Sequence, residues 1–552
     1  MSLIQVEHLS FTYPSGYDPV FRDVSFQLDT DWNLGFVGRN GRGKTTFLRL
    51  LMGDYEYSGR IAASVRFAYF PYPVAQPERE TLALLHEICP AAEEWELLRE
   101  LSLLGIEEDA LFRPFRTLSG GEQTKALLAA LFLNEGDFPL IDEPTNHLDF
   151  EARRLVSAYL RKKRGFILVS HDRDFLDGCV DHILSINRAT IEVQSGNFSS
   201  WLENFARRQN FEQTQNRRLQ KDIGRLQEAA GRTSGWSDRV EATKYGGKNS
   251  GVKVDRGYVG HQAAKMMQRA KSIEARRQKA VEEKSALLRD VEETEELKLF
   301  PLRWHSERLC SFSEVAVCYD GRPVMAPASF TLCLGERVAL DGRNGSGKSS
   351  LLRLLVEQAV RSGGAPEPVE TAASRTSGRI GARGGRGAGV LPELRTDARI
   401  ASASPDGQAG PHGPAAGGIP EYTGVLTIGS GLKVSYVPQD TSFLRGSLSE
   451  YARERRLDES LLRAILRKMN FERVQFEKDL SELSGGQKKK VLLAGSLCQR
   501  AHLYVWDEPL NFVDIDSRMQ IEHLLAAFSP TMLFVEHDGS FRRQIATRVE
   551  RL

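Results

Sequence analysis

The feature that most limits how this chain can fold is an ordered set of short motifs that occurs once in each half. In the first half, the apolar run Asn33–Val37 leads into Gly38-Arg39-Asn40-Gly41-Arg42-Gly43-Lys44-Thr45-Thr46 and then into an apolar helical stretch. In the second half, the same position is held by Gly342-Arg343-Asn344-Gly345-Ser346-Gly347-Lys348-Ser349-Ser350. Both are G-x-x-x-x-G-K-[ST] loops set between a strand and a helix. Glycines there let backbone N–H groups curl around phosphates, and the helix start adds a favourable dipole. Lys44 and Lys348 bring positive charge to the β- and γ-phosphates. The hydroxyls of Thr45 and Ser349 are placed to hold Mg²⁺.

The order continues beyond the loops. Leu118-Ser119-Gly120-Gly121-Glu122 and Leu483-Ser484-Gly485-Gly486-Gln487 each precede a helical run. Apolar strands then end in Asp142-Glu143 and Asp507-Glu508, and later strands end at His171 and His537. The leucine-to-aspartate interval is 24 positions in both halves, and the aspartate-to-histidine intervals are 29 and 30. Such agreement marks an internal duplication. Asp142 and Asp507 are the expected Mg²⁺ carboxylates. Glu143 and Glu508 are the expected general bases that polarise water, and His171 and His537 suit γ-phosphate sensing.

These motifs resemble those of ATP-binding cassette (ABC) ATPase domains. The resemblance implies ATP and Mg²⁺ as cofactors and makes the Leu-Ser-Gly-Gly segments signature loops. Asn146 to Asp149 becomes a D-loop, and the two histidines become switch residues. Tyr13 and Tyr319 match the family's adenine-stacking aromatic. Gln439, in Tyr-Val-Pro-Gln, matches the Q-loop glutamine that reaches metal and water. The first copy departs here: Tyr69-Phe70-Pro71 is followed by Tyr72, which has no side-chain amide, and Gln76 is out of register. The first site is therefore expected to hydrolyse ATP slowly or to hold Mg²⁺ differently. In this family each ATP is closed between two cassettes. ATP at Lys44 would be capped by Ser484 and Gly486, and ATP at Lys348 by Ser119 and Gly121. The expected state is a monomer with an intramolecular ATP sandwich.

One interval breaks the symmetry. Lys44 to Gly59 spans 15 positions, whereas Lys348 to Gly424 spans 76, although EYSG and EYTG fix the far ends. The extra residues, roughly 357–420, are rich in Gly, Ala, Arg, Pro and Ser, without periodicity. They read as a disordered, solvated loop.

The expected fold class is thus α/β, with two tandem ABC-type P-loop ATPase domains at 1–205 and 301–552. A long α-helical hairpin at 206–300 joins them. Its first helix is expected over about 199–230 and its second over about 261–299, both sparse in apolar residues. Between them, 231–260 alternates glycines and basic residues with Trp236, Tyr245 and Tyr258. Residues 206–279 hold 18 Lys/Arg against 7 Asp/Glu, in a chain of net charge +1. Local positive charge with stackable rings is what folded RNA attracts. No apolar run approaches the roughly 20 residues of a membrane span. The start, MSLIQVEHLSF, reads as a strand and lacks a signal-peptide pattern. Six scattered cysteines read as reduced thiols of a cytoplasmic protein. The chain ends 15 residues past His537, so no folded domain is expected after the second cassette.

Two soluble cassettes joined by a long charged hairpin resemble the ABC-F family of translation factors over almost the whole chain. The segments VGRNGRGKTT and LSGGEQTK, the YFPY variant and Val535 to Asp538 (VEHD) look most like its antibiotic-resistance subgroup, especially Lsa-type members. The resemblance implies the 70S ribosome as partner, with the linker directed at 23S rRNA and P-site tRNA and no membrane component. It also implies protection from lincosamides, pleuromutilins and streptogramin A. A housekeeping factor relieving stalled ribosomes, the ATPase subunit of a drug exporter, and a repair-type nucleic-acid ATPase remain open alternatives. The last of these lacks zinc-module cysteines.

Overall fold

The computed structural model describes residues 2–14, 19–134, 136–187, 190–243, 297–319, 321–364, 366–368 and 420–552. It divides into two units: 1–199 with 295–552, and 200–294.

In the first unit each cassette is built on a parallel sheet. The first sheet runs in the order Arg66–Phe70, Asp137–Asp142, Phe166–Val169, Asn33–Val37, His182–Asn187, Thr190–Ser195. The first five strands are parallel and the last is antiparallel. The central strands are continuous apolar runs because both faces are covered. The second sheet runs Val434–Val437, Leu503–Asp507, Met532–Val535, Arg337–Asp341, Arg548–Arg551, all parallel. Parallel pairing brings the strand C-termini to one edge, where Val37, Asp142 and Val169 each hand over to a motif residue. An antiparallel sheet flanks each: Leu3–Phe11 with Phe21–Asp29 and Ser58–Ala62, and Arg308–Tyr319 with its neighbours Ala328–Cys333 and Glu421–Ile428.

Two expected boundaries move. The helix expected over 199–230 runs from Phe198 to Thr243, carrying helical backbone through Gly231 and Gly235 into the segment read as an irregular tip. The surrounding Arg, Gln, Glu, Lys and Ala are strong helix formers, and each glycine costs only about 1 kcal/mol. The inserted residues are also not irregular from their start at 357. Helix Lys348–Arg361 continues past it, and Glu367–Pro368 pairs with Gln499–Arg500. The rest of the tip, the second linker helix and most of the insertion lie outside the described residues.

The two cassettes meet through buried charge. Arg153 donates to Asp172 Oδ2 at 2.9 Å and to the Leu148 carbonyl at 3.0 Å. Arg518 repeats this with Asp538 Oδ2 at 3.0 Å and the Val513 carbonyl at 2.9 Å. Both aspartates also cap short helices, accepting from Phe175 N and Phe541 N. Between the cassettes, Arg173 makes a two-pronged ion pair with Glu522, and both side chains are buried. Removing one member leaves an unpaired charge inside, whereas replacing both need not. Arg173→Met is expected to lower unfolding free energy by roughly 3–5 kcal/mol. Arg173→Met/Glu522→Leu should lose clearly less; urea melts of the two variants compare them.

Candidate active site

Both phosphate loops adopt the conformation their glycines allow. Gly41 and Gly43 have φ of 82° and 95°, and Gly345 and Gly347 repeat them at 82° and 87°. A side chain at Gly43 would also strike Val20 and Phe21. Gly38 and Gly342, with φ near 155°, open the two loops. Helices Lys44–Met52 and Lys348–Arg361 start directly after them. Lys44 Nζ donates to the Gly38 and Arg39 carbonyls at 2.7 and 3.2 Å. Lys348 Nζ donates to Gly342 and Arg343 at 2.7 and 2.8 Å. Burial lowers both lysine pKa values, against the pull of nearby carboxylates.

In both copies a hydroxyl of the phosphate loop meets the strand-end aspartate. Thr45 Oγ1 donates to Asp142 Oδ2 at 2.8 Å, and Ser349 bonds Asp507. Tyr13 and Tyr319 occupy matching places, their hydroxyls bonded to Thr46 Oγ1 at 2.7 Å and Ser350 Oγ at 3.2 Å. Tyr13 also packs its ring edge-on to Phe11 and Tyr55. Asn344 sits in the second loop where Asn40 sits in the first.

The signature serines cap their helices. Ser119 Oγ accepts from Glu122 N and Ser484 Oγ from Gln487 N, each with a reciprocal bond from the third residue. Gly121 and Gly486 follow in the first helical turns. Gly486 lies against the first phosphate loop: a Cβ there would come within 2.9 Å of Asn40 Nδ2 and 2.3 Å of the Phe512 carbonyl. Asn40 Nδ2 itself donates to that carbonyl at 2.7 Å, and Asn40 Oδ1 lies 2.9 Å from His171 Nε2. A continuous path therefore runs from the first switch histidine to the D-loop of the other cassette. Arg39 fastens the same side, with Nε 2.6 Å from Asp516 Oδ2. The matching pair at the second site, Arg343 Nε and Glu151 Oε2, stands 4.0 Å apart in solvent.

The two sites differ electrostatically. Burial and the adjacent Asp142 push the Glu143 carboxyl up to about 8, with Lys44 opposing. For Glu508 burial acts the same way, but the His537 and Gln439 side chains and the charge of Lys489 outweigh it and hold the carboxyl below its ordinary value. Asp507 is pushed up to about 6 by burial. His171 is held well below its ordinary value, first by burial and then by Lys44. His171 Nε2 and His537 Nε2 stand 3.4 and 3.5 Å from the glutamates Glu143 and Glu508.

Two participants escaped sequence reasoning. Tyr69 OH donates to Asp142 Oδ2 at 3.0 Å, while Tyr72, at the glutamine position, is 45% exposed. The signal was present: tyrosine stands three positions before Tyr72 and before Gln439 alike. Lys489 is buried, with Nζ donating to the Pro438 and Asp507 carbonyls at 2.9 and 3.3 Å. Its counterpart, Thr124, bonds only within its own helix, to the Gly120 carbonyl.

ATP and Mg²⁺ fit these residues. Asp507 Oδ1, Glu143 Oε1 and Ser346 Oγ are buried without a hydrogen-bond partner, and all three lie beside the phosphate loops. Bound Mg²⁺ would supply Lewis-acid polarisation of the transferred phosphoryl group. Thr45 with Asp142 and Ser349 with Asp507 would hold it. The glutamates would orient and deprotonate water, and the lysines would offset phosphate charge.

Known proteins resemble this chain in sequence and in fold. The family model described as "ABC transporter" matches residues 21–146, 325–382 and 428–511. The chain is 26% identical to Ribosome protection protein VmlR of Bacillus subtilis (strain 168), covering 95% of this chain and 82% of the relative. It is 25% identical to ATP-binding protein Uup of Caulobacter vibrioides, covering 96% and 74%. Among solved structures, the complex of archaeal ribosomal stalk protein aP1 with the ribosome recycling factor aABCE1 shares the fold. Its TM-score is 0.57 at 18% identity, covering 99% of this chain and 87% of that one.

Since the second site keeps Gln439 beside its base and the first presents Tyr72 to solvent, the first should turn over more slowly. A Glu508→Gln chain, with only the first site intact, should release phosphate at least severalfold more slowly than a Glu143→Gln chain. Single-turnover phosphate release under saturating ATP compares them, and equal rates would remove the asymmetry.

Proposed function

We propose that this chain, an ATPase with two tandem ABC-type domains, is an ABC-F-type factor that acts on the ribosome and protects it from antibiotics. The observation that carries this is that one chain joins paired ATP sites to a long linker of basic sequence. Helix Phe198–Thr243 alone has 46 residues, which at 1.5 Å each extends about 69 Å. Its described surface is polar, with an Arg207–Glu203 pair at 3.0 Å and few apolar residues besides the stacked Trp201 and Phe205. Such a helix is suited to reach along RNA rather than to fill a core.

In this reading ATP bound at Lys44 and Lys348 holds the cassettes together, with Ser484 and Gly486 closing the first site and Ser119 and Gly121 the second. The closed form docks on the 70S particle, and the linker extends toward 23S rRNA and the P-site tRNA. Displacement of a lincosamide, pleuromutilin or streptogramin A follows from that insertion. Hydrolysis, with Glu143 and Glu508 as bases and His171 and His537 as sensors, then lets the cassettes part. Likeness to VmlR, whose name records ribosome protection, supports the reading. Among the described residues no helix is long and apolar enough to cross a membrane.

The housekeeping alternative keeps the ribosome and drops the drug. Expression in a sensitive bacterium separates the two. Wild-type chain should raise the inhibitory concentration of at least one of the three drug classes, and the Glu143→Gln/Glu508→Gln form should not. In ATP that double variant should cosediment with 70S particles. Its failure to do so would sink the ribosomal reading, while cosedimentation with unchanged drug susceptibility favours the housekeeping factor.

A further inference from the structure

The duplication makes each residue at the cassette interface comparable with its counterpart across the pseudo-two-fold relation. Counting from the Asp-Glu pairs, Ser157 corresponds to Glu522; counting from the switch histidines, Gly539 corresponds to Arg173. On one side, then, Arg173 and Glu522 fill the interface with a buried ion pair. On the other side the same two positions hold glycine and serine. A cavity of about 830 Å³ opens there, and Ser157 and Gly539 are both in its wall.

The remaining wall has a definite chemistry. Phe150, Arg154, Ala158, Arg161 and Lys162 come from one stripe of helix Phe150–Leu160 and the turn after it, at the i, i+4 spacing that shares a helix face. Arg153 and Arg543 are also present but neutralised, by Asp172 and Asp174 respectively. Arg154, Arg161 and Lys162 have no acidic partner among the described residues and leave the cavity with surplus positive charge. The apolar part is supplied by Phe150, Ala158 and Phe175, and the Arg542 guanidinium lies 4.6 Å from the centre of the Phe150 ring. The volume is that of a small-molecule site. Surplus guanidinium and ammonium charge selects a phosphate, and an aromatic wall selects a flat ring.

We propose that this cavity binds a nucleotide, taken either free or as an unpaired residue of an RNA strand, and that its occupancy is coupled to the second ATP site. The coupling follows from who builds the wall. Phe150, Arg154 and Arg161 belong to the first cassette, whereas His537, Gly539 and Arg543 belong to the second. Parting the cassettes pulls the cavity open, so a ligand touching both walls favours the closed arrangement. His537 is at once a wall residue and the group beside Glu508. This goes beyond ATP turnover and ribosome docking, since neither requires a third ligand site.

The test uses the full-length Glu143→Gln/Glu508→Gln chain with both ATP sites saturated by ATP and Mg²⁺. Uridine 5′-monophosphate and octauridylate are titrated separately by calorimetry. One further variant-sensitive site per chain is expected. Arg154→Glu/Arg161→Glu should weaken binding at least tenfold, and Ala158→Trp, which fills the cavity without changing charge, should do the same. Binding of the mononucleotide identifies a free nucleotide as the ligand. Binding of octauridylate alone, with the same sensitivity to both variants, identifies an RNA residue. Binding of neither, binding indifferent to both variants, or inorganic phosphate binding as tightly as the nucleotide each overturns the site. In the Glu143→Gln chain, saturating ligand should change phosphate release from the second site at least twofold, and an unchanged rate overturns the coupling.

Discussion

Pairing of buried charge governs the centre of this molecule. Asp172 and Asp538 are each one residue past a switch histidine, and each is locked by an arginine from its own cassette, Arg153 or Arg518. A carboxylate taken out of water demands such a partner, and removing the partner is far costlier than the pair itself is stabilising. The arrangement fixes the helix starts that follow the histidines, and the first of these helices begins with Arg173, which reaches Glu522 of the other cassette. A sensor so placed cannot shift without disturbing the contact between cassettes.

Duplication then lets the two halves diverge around a shared frame. Arg39 lies 2.6 Å from Asp516, while Arg343 and Glu151 stand 4.0 Å apart. Lys489 lies under the second Asp-Glu strand, where the first copy has Thr124. Glu536, accepting from the backbone N–H groups of Leu510 and His537, stands where the first copy has Ser170. Burial lowers the Lys489 pKa against the pull of Asp507, Glu508 and Glu536, and burial raises that of Glu536 against the charge of Arg518. These exchanges make the second site richer in fixed charge and the first more dependent on the opposite cassette for its contacts.

Much of this was legible in the sequence because the chemistry of phosphate binding leaves little freedom. Glycine at positive φ, a lysine at the helix start and a carboxylate at a strand end have few substitutes, so Gly43, Lys44 and Asp142 announced themselves. The cross-cassette facing was readable only through family resemblance, since no local pattern places Gly486 beside Asn40. Tyr69 and Lys489 were missed because a strand aromatic and a lysine run have commoner uses. The cavity was unreadable for a deeper reason. Its wall includes Ser157 and Gly539, and a glycine paired with a serine carries no signal until the fold shows that large residues stand at the counterpart positions.

The linker helix poses the opposite problem, being defined by composition rather than by contacts. Over Phe198–Thr243 the apolar residues are too few to form a continuous stripe, and Gly224, Gly231 and Gly235 together cost roughly 3 kcal/mol of helix propensity. Burial of an apolar face does not repay that. What remains is the high intrinsic propensity of Arg, Gln, Glu, Lys and Ala, helped by pairs such as Glu203 with Arg207 at the favourable four-residue spacing. Each such pair contributes only about 0.3–0.5 kcal/mol and weakens with salt. A helix held this way is long yet only modestly stable alone.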